Sequence, residues 1–380
     1  MERSPLAVYV HWPFCVTKCP YCDFNSHVRA KIDEAGWREA LLADLMHEAR
    51  LTADHIVTSI FFGGGTPSLM DPSTTGAVID TVARLWPTAP GLEITLEANP
   101  SSVESARFAG FAAAGVSRVS LGLQALDDAA LKRLGRPHDV AMGLTALDVA
   151  QSTFDRVSFD LIYAREGQTL GGWQAELARA LSFGTDHLSL YQLTIEPKTR
   201  FAALHASGEL VIPGEDLAAD LWDMTQSMTW EAGLPAYEIS NHARPGEASA
   251  HNLSYWTYGD YIGVGPGAHG RRGGFATTRT PKPEAWIGAV RSTGHGIDSE
   301  TALDAATRGR EALLMGLRLS AGIDRQQFAR RTGTDLAAMI DPTALAELTA
   351  LGLVESSPER VCLTSAGLPL LNAILPKLLL

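Results

Sequence analysis

The chain has 380 residues, 46% hydrophobic and 19% charged, a length suited to one large domain or two to three smaller ones. Its 35 Gly and 20 Pro make up about one residue in seven, too few for collagen, low-complexity disorder or a coiled coil as the main architecture. Forty-three acidic against 31 basic residues leave a net charge of −12, which repels phosphate backbones and argues against general nucleic-acid binding. The four cysteines are Cys15, Cys19, Cys22 and Cys362. They are too few and too uneven for a disulfide scaffold and point to a metal or cluster site in a reducing compartment.

The first apolar run, Leu6–Val10, falls short of the ~7–15 residues of a secretory core. No run approaches the ~18–20 apolar residues of a membrane span. The expectation is a cytoplasmic protein, with room for peripheral contact with a membrane surface. Leu6–Val10 is predicted as the first strand, and a helix over Asp33–Arg50 follows the cysteine loop. The next strand–helix units are Val57–Phe62 with Pro72–Leu85, Leu92–Leu96 with Val103–Ala114, and Val116–Leu123 with Asp127–Leu134 and Asp139–Ala150. Arg156–Ile162 with Leu170–Phe183, and then His187–Tyr191, complete the series. Asp33 and Ser101 sit at N-cap positions, Gly115 and Gly184 at C-cap positions. This alternation predicts a parallel sheet.

Polar or glycine-rich features fall at the C-terminal ends of these strands. They are Gly63–Gly65, then Glu97 and Asn99, then Gln124, Asp160, and finally Gln192 and Thr194. In a barrel those ends form one rim, whereas an open doubly wound sheet would use chiefly one crevice. Six units are fewer than the eight of a closed barrel, so the expected fold is α/β with an incomplete (β/α)6 barrel.

Beyond residue 195 the pattern changes. Glu215–Glu231 reads as a helix, and residues 233–283 are rich in Gly, aromatics and His with little periodicity. An amphipathic helix is predicted over Thr301–Leu319, shorter helices at Arg325–Thr332 and Pro342–Leu351, and strands at Val354–Glu355 and Val361–Thr364. This is a mainly α, winged-helix-like pattern. Pro342–Leu351 lacks basic residues, which favours a protein-contact or structural role over DNA binding. The C-terminal LLNAILPKLLL, interrupted by Pro376 and Lys377, reads as a docked terminal helix. The expected division is 1–210, 211–295 and 296–380.

Cys15-x3-Cys19-x2-Cys22 places three thiols on one short loop. Thiolates suit iron–sulfur chemistry or zinc. A [4Fe–4S] cluster ordinarily takes four cysteines, so three would leave one iron open. The alternative is a Cys3His zinc site using His11 or His27, although the second C-x2-C pair typical of zinc sites is absent.

The stretch Tyr9-Val10-His11-Trp12-Pro13-Phe14-Cys15-Val16-Thr17-Lys18-Cys19-Pro20-Tyr21-Cys22 resembles the CxxxCxxC loop of radical S-adenosylmethionine (SAM) enzymes. Further matches are Phe62-Gly63-Gly64-Gly65-Thr66-Pro67, Glu97-Ala98-Asn99-Pro100, Ser120-Leu121-Gly122-Leu123-Gln124, Arg133-Leu134-Gly135-Arg136 and Asp160-Leu161-Ile162-Tyr163. Together they resemble the oxygen-independent coproporphyrinogen III oxidase family and its haem-chaperone branch. The resemblance implies residues 1–210 as the radical-SAM partial barrel, with a [4Fe–4S] cluster on Cys15, Cys19 and Cys22. It implies SAM contacts from Tyr9, Tyr21, Gly64, Gly65, Thr66, Glu97, Gln124, Arg136 and Asp160. Taken singly, several of these have plainer readings: the glycines as a tight turn, Glu97 as a solvated carboxylate, Arg136 as a surface side chain. Asp160 in an apolar strand is harder to explain so, because a buried charge needs a partner. Cys362 reads as a buried small hydrophobe.

Two features separate the branches. The oxidase has a fourth cysteine two positions after the third, and here that position is Phe24. Asp23-Phe24-Asn25-Ser26 resembles the chaperone branch instead. His251-Asn252-Leu253-Ser254-Tyr255-Trp256 resembles the haem-associated HNxxYW element of that branch. It implies haem contacts from His251, Asn252, Tyr255 and Trp256, with His251 as an axial ligand; His269 is a second imidazole. The implied function is a chaperone that holds haem and passes it to apoproteins such as membrane respiratory enzymes. Coproporphyrinogen decarboxylation and a zinc-stabilised α/β protein are the alternatives. Where the family often has Gly-Leu-Pro, this chain has Ala164-Arg165-Glu166, which weakens transfer of substrate contacts at that loop.

Overall fold

Leu6, Val8, Val10 and Trp12 share one strand face and are fully buried in the computed structural model, which describes residues 3–29 and 31–380. Met1 and Glu2, at the head of the predicted 1–210 segment, and Ala30 lie outside the described residues. Ala7, on the opposite face, is buried as well. Burial on both faces is the mark of a strand inside a parallel sheet.

This strand, β1 (Ser4–Trp12), is followed in space and in sequence by β2 (His55–Gly64), β3 (Thr88–Ala98), β4 (Arg118–Gln124), β5 (Arg156–Tyr163) and β6 (His187–Gln192). All six lie side by side and parallel. The crossovers carry α1 (Glu34–Leu51), α2 (Pro72–Leu85), α3 (Val140–Thr153) and α4 (Leu170–Leu181). Asp33 caps α1 by accepting the Gly36 N–H. The predicted Val103–Ala114 helix is two pieces, Ser102–Ser105 and Phe108–Ala113.

The sheet does not close. At one edge β7 (Asn241–Ala243) runs antiparallel to β6. At the other, β8 (Asp260–Val264) pairs parallel to β1. The antiparallel strands β9 (His269–Arg272), β10 (Phe275–Arg279) and β11 (Ile297–Ala302) extend it. The order is β11-β10-β9-β8-β1-β2-β3-β4-β5-β6-β7, an incomplete barrel with an antiparallel extension. Residues 211–295 thus contribute α5 (Glu215–Glu231), α6 (Ala250–Trp256), α7 (Pro283–Thr293) and strands of the same sheet. Strands of three to five residues are too short to show a period, and for that reason 233–283 reads as aperiodic.

The predicted Thr301–Leu319 helix begins later, as α8 (Ala305–Gly316), because Asp304 caps it through the Thr307 N–H and the residues before it belong to β11. With α9 (Arg325–Thr332), α10 (Pro342–Ala350), α11 (Leu371–Leu378) and the small sheet β12 (Ile323–Asp324), β13 (Val354–Ser356) and β14 (Arg360–Leu363), it forms a winged-helix-like unit. Leu313, Leu317, Phe328, Val361 and Leu378 belong to that unit's own core. Cys362 is half-buried on β14 rather than in the core. The two-residue strand period gives the inward positions to Val361 and Leu363. No described helix is long and apolar enough to cross a membrane.

A buried ion network fastens the antiparallel extension to α1. Arg279 of β10 pairs with Asp44 at 3.0 Å and with Glu48 at 2.6 Å, all three side chains being shielded from solvent. Arg272 of β9 reaches the other oxygen of Glu48 at 2.5 Å and Glu300 at 2.6 Å. Removing one member of such a network strands its partners. We expect Glu48→Ala to lower unfolding stability by ~3 kcal/mol or more, measured by urea denaturation. A loss below about 1 kcal/mol, the level of an exposed pair, would contradict this account.

Candidate functional site

The C-terminal end of β1 runs directly into the cysteine loop. Phe14–Cys15 forms a short parallel pair with His27–Val28, which closes the loop at its base. Cys15, Cys19 and Cys22 are free and partly exposed. They line one cavity of about 450 Å³ with Tyr21, Gly64, Gly65, Thr66, Glu97, Gln124, Arg136 and Asp160. The expected cysteines and eight of the nine expected SAM contacts therefore share one wall. The ninth, Tyr9, opens into a neighbouring cavity. Its hydroxyl bonds His11 Nδ1 at 3.0 Å.

The glycines answer first to the protein's own backbone. A Cβ on Gly64, whose φ is +111°, would lie 2.6 Å from the His11 ring, and one on Gly65 would lie 2.7 Å from the Phe14 carbonyl oxygen. The ends of β1 and β2 touch only because no side chain separates them. Gln124 also adopts a left-handed conformation, at φ +68°. It sits where the β4–β5 register shifts, a strained position of the kind found at functional sites.

Four side chains face the sulfurs: Thr66 and Ser26 at Cys15, and Arg136 and Tyr21 at Cys19. Thr66 Oγ1 lies 3.4 Å from Cys15 Sγ, and Arg136 Nη1 donates to Cys19 Sγ at 3.3 Å. Burial pushes the Cys15 and Cys22 thiols up, so a bound metal has to displace their protons. Among the described residues, no three His, Cys, Asp or Glu side chains converge as a single-ion site requires. A cluster differs, since each thiolate binds its own iron. His11 and His27, the candidate fourth zinc ligands, both bond Asn25, at 2.9 and 3.1 Å. The donor set thus suits a multi-iron cluster better than zinc. Arg136 Nε is buried without a partner, so this cation is incompletely satisfied, as a residue awaiting a carboxylate would be.

Below the sulfurs lie two buried acids. Glu97 accepts the Gly64 N–H at 3.3 Å, and Asp160 accepts from Ser120 at 3.3 Å. Burial, reinforced by Asp160, raises Glu97 to about 8. Burial raises Asp160 to about 6 against the hydrogen bonds of Ser189 and Ser120. Two residues not assigned from sequence complete the wall. Asn99 donates to Thr66 Oγ1 at 3.0 Å and accepts from Arg136. Glu104 takes the Asn99 N–H at 2.9 Å. Asn99 was visible in the Glu97-Ala98-Asn99-Pro100 tetrapeptide, whereas Glu104 carried no signal.

The neighbouring cavity, of about 620 Å³, is lined by Tyr9, Tyr255, Trp256, Tyr261, Leu314 and Met315 among others, and shares Phe24, Gly64 and Glu97 with the cysteine cavity. Phe24 is 57% exposed. His251, the expected axial ligand, is 1% exposed. Its Nδ1 bonds Ser59 Oγ at 3.0 Å, its Nε2 bonds the Tyr255 hydroxyl at 2.7 Å, and its ring stacks on Phe61. As folded it offers no free nitrogen to the cavity. Burial also holds it neutral, at about 3. Asn252 turns to Tyr237, while Tyr255 and Trp256 face the cavity.

The radical SAM superfamily model matches residues 9–177, and the HemN C-terminal domain model matches residues 303–370. The chain is 35% identical to Heme chaperone HemW of Escherichia coli (strain K12) over 99% of this chain and 98% of that one. It is 42% identical to the Bos taurus Radical S-adenosyl methionine domain-containing protein 1, mitochondrial, over 85% of this chain and 75% of that one. The structure of E. coli coproporphyrinogen III oxidase (HemN) superposes with a TM-score of 0.83 at 22% identity, over 99% of this chain and 90% of that one. That likeness is one of fold.

Because Glu97 sits near 8 when folded, above its ordinary 4.5, the folded protein retains a proton that the unfolded chain releases between those values. Stability of the metal-free protein should therefore fall as pH rises through that window. Glu97→Gln should flatten this decline, leaving the shallower contribution of Asp160 at lower pH. Urea denaturation of both proteins at pH 5 and pH 8 checks this. Equal losses in the two would contradict the assignment of Glu97.

Proposed function

The chain belongs to the radical SAM superfamily, within the coproporphyrinogen oxidase-like family and its haem-chaperone branch, and from that premise we propose that it binds haem and delivers it to apoproteins. The observation that carries this reading is the aromatic cavity beside the cysteine cavity, with Phe24 at their junction. A largely apolar chamber with a few polar groups suits a planar macrocycle. Tyr255 and Trp256 pack against haem in this reading, while His251 and Asn252 hold the element in shape. Membrane respiratory enzymes fit as acceptors, and the net charge of −12 leaves proteins rather than nucleic acids as partners.

Cys15, Cys19 and Cys22 would hold a [4Fe–4S] cluster, which when bound supplies single-electron chemistry to SAM. The remaining residues bind and orient. Arg136 would pair with the SAM carboxylate. Thr66 and the backbone at Gly64 and Gly65 meet the amino group. Tyr21, packed on Phe201 with centroids 6.1 Å apart, offers a face to adenine. Glu97, Gln124 and Asp160 offer polar groups to the rest of SAM, and Tyr9 fixes His11 beneath the glycines.

Anoxic reconstitution with iron and sulfide should load about four irons per chain, and Cys15→Ala, Cys19→Ala or Cys22→Ala should prevent it. Zinc binding without iron or sulfide would favour the zinc reading instead. Arg136→Ala should weaken SAM binding by about tenfold or more, the worth of a charge-assisted hydrogen bond. The reconstituted protein should take up haem and pass it to an apo-acceptor. Anaerobic conversion of coproporphyrinogen to protoporphyrinogen would overturn the chaperone reading.

A further inference from the structure

Five histidines lie around the joined cavities, and among the described residues one has both ring nitrogens free. His138, in the wall of the cysteine cavity, bonds the Leu123 carbonyl through Nε2 at 3.1 Å, and its Nδ1 is buried away from the aromatic chamber. His11 is spent on Tyr9 and on the Asn25 carbonyl. His27 bonds the Asn25 side chain. His251 is held at both nitrogens. His269, at the start of β9, is exposed. Among the described residues its ring carries no hydrogen bond or ion pair. It lines the 620 Å³ cavity and also an adjoining one of about 490 Å³, at the edge marked by Phe24, Asn25 and Gly267.

We propose that His269, rather than His251, presents the imidazole that ligates haem iron in this chamber. The inference rests on the reading that the cargo is haem. Iron needs a neutral nitrogen with an unshared lone pair, and His269 is the one histidine of the five that offers an unpartnered, exposed ring to the aromatic chamber. Partial desolvation at the cavity edge and the neighbouring Arg271 both lower its basicity. Arg271 is itself neutralised by Glu311, at 2.9 and 3.0 Å, so no uncompensated positive charge faces the iron.

The local chain makes His269 a firm ligand on an open edge. Gly265 and Gly267, at φ +98° and +75°, turn the chain from β8 into β9. A Cβ on Gly263 would lie 2.1 Å from the His269 carbonyl oxygen, so the turn is tight. Asn25 of the cysteine loop donates to the Pro266 carbonyl at 2.9 Å and the Pro281 carbonyl at 2.8 Å. The ligand is thereby bolted to the loop that carries the thiols. A solvent-facing ligand also suits a cargo that must leave. His251, by contrast, is a positioning residue that aims the Tyr255 hydroxyl.

The test is a haem titration of the full-length protein after anoxic cluster reconstitution, with iron content as the control for folding. The ferrous–carbonyl Soret band and the iron–histidine Raman stretch report the ligand. We expect His269→Ala to weaken haem binding about tenfold or more and to lose the iron–histidine stretch, with added imidazole restoring it. His269→Cys should move the carbonyl Soret band to the position of a thiolate-ligated haem. His251→Phe should keep the iron–histidine stretch. If His269→Ala binds with wild-type affinity and spectrum, or if His251→Phe alone abolishes the stretch, the assignment is overturned. If wild-type protein binds no haem at all, the haem reading falls and this inference falls with it.

Discussion

The contact between the ends of β1 and β2 governs the rest of the site. Gly64 and Gly65 lie so close to His11 and Phe14 that a single methyl group at either position would collide with a ring or a carbonyl. This contact sets where β1 stops and where the cysteine loop begins. It brings Thr66 beside Cys15 and, through Asn99, links that threonine to Arg136 and so to Cys19. Glycines that resemble a cofactor cradle are thus also the protein's own packing requirement. Both roles demand the same absence of a side chain.

Beneath the loop the barrel interior is polar. Burial raises the proton affinity of both Glu97 and Asp160, Asp160 adds to the rise of Glu97, and Arg118 opposes it at both acids only in part. With Glu97 held near 8, the metal-free protein is expected to lose stability as pH rises from about 4.5 to about 8, and the same interior supplies hydrogen-bonding groups where a polar cofactor would sit. The ion network of Arg272 and Arg279 with Asp44 and Glu48 fastens the antiparallel extension on the other side. That extension carries His269, so the architecture links the cysteine loop to the aromatic chamber at both Asn25 and α1.

Much of this was legible in the sequence. The six parallel strands show as apolar runs with caps between them, and their polar C-terminal ends mark the rim in the sequence alone. Strands β7 to β10 were not legible, because three to five residues cannot display a period and glycines interrupt them. The cysteines were found by spacing, and Glu97 and Asp160 by position. Asn99 was seen, but its bridging role was not, since its partners Thr66 and Arg136 lie 33 and 37 residues away. The His251 hexapeptide gave the residue type and not the state of its nitrogens. Only the fold shows that Ser59, 192 residues away, has taken one of them.

The cysteine cavity and the aromatic chamber are neighbours joined at Phe24, and in the proposed reading haem would sit beside the cluster. Pulsed EPR measures this most directly, using the reduced cluster and ferrous–nitrosyl haem as two spins in a one-to-one complex. The account predicts strong dipolar coupling between them, with faster relaxation of the cluster signal when haem is bound. Bound haem with no coupling to the cluster would place the cargo elsewhere on the molecule and contradict it.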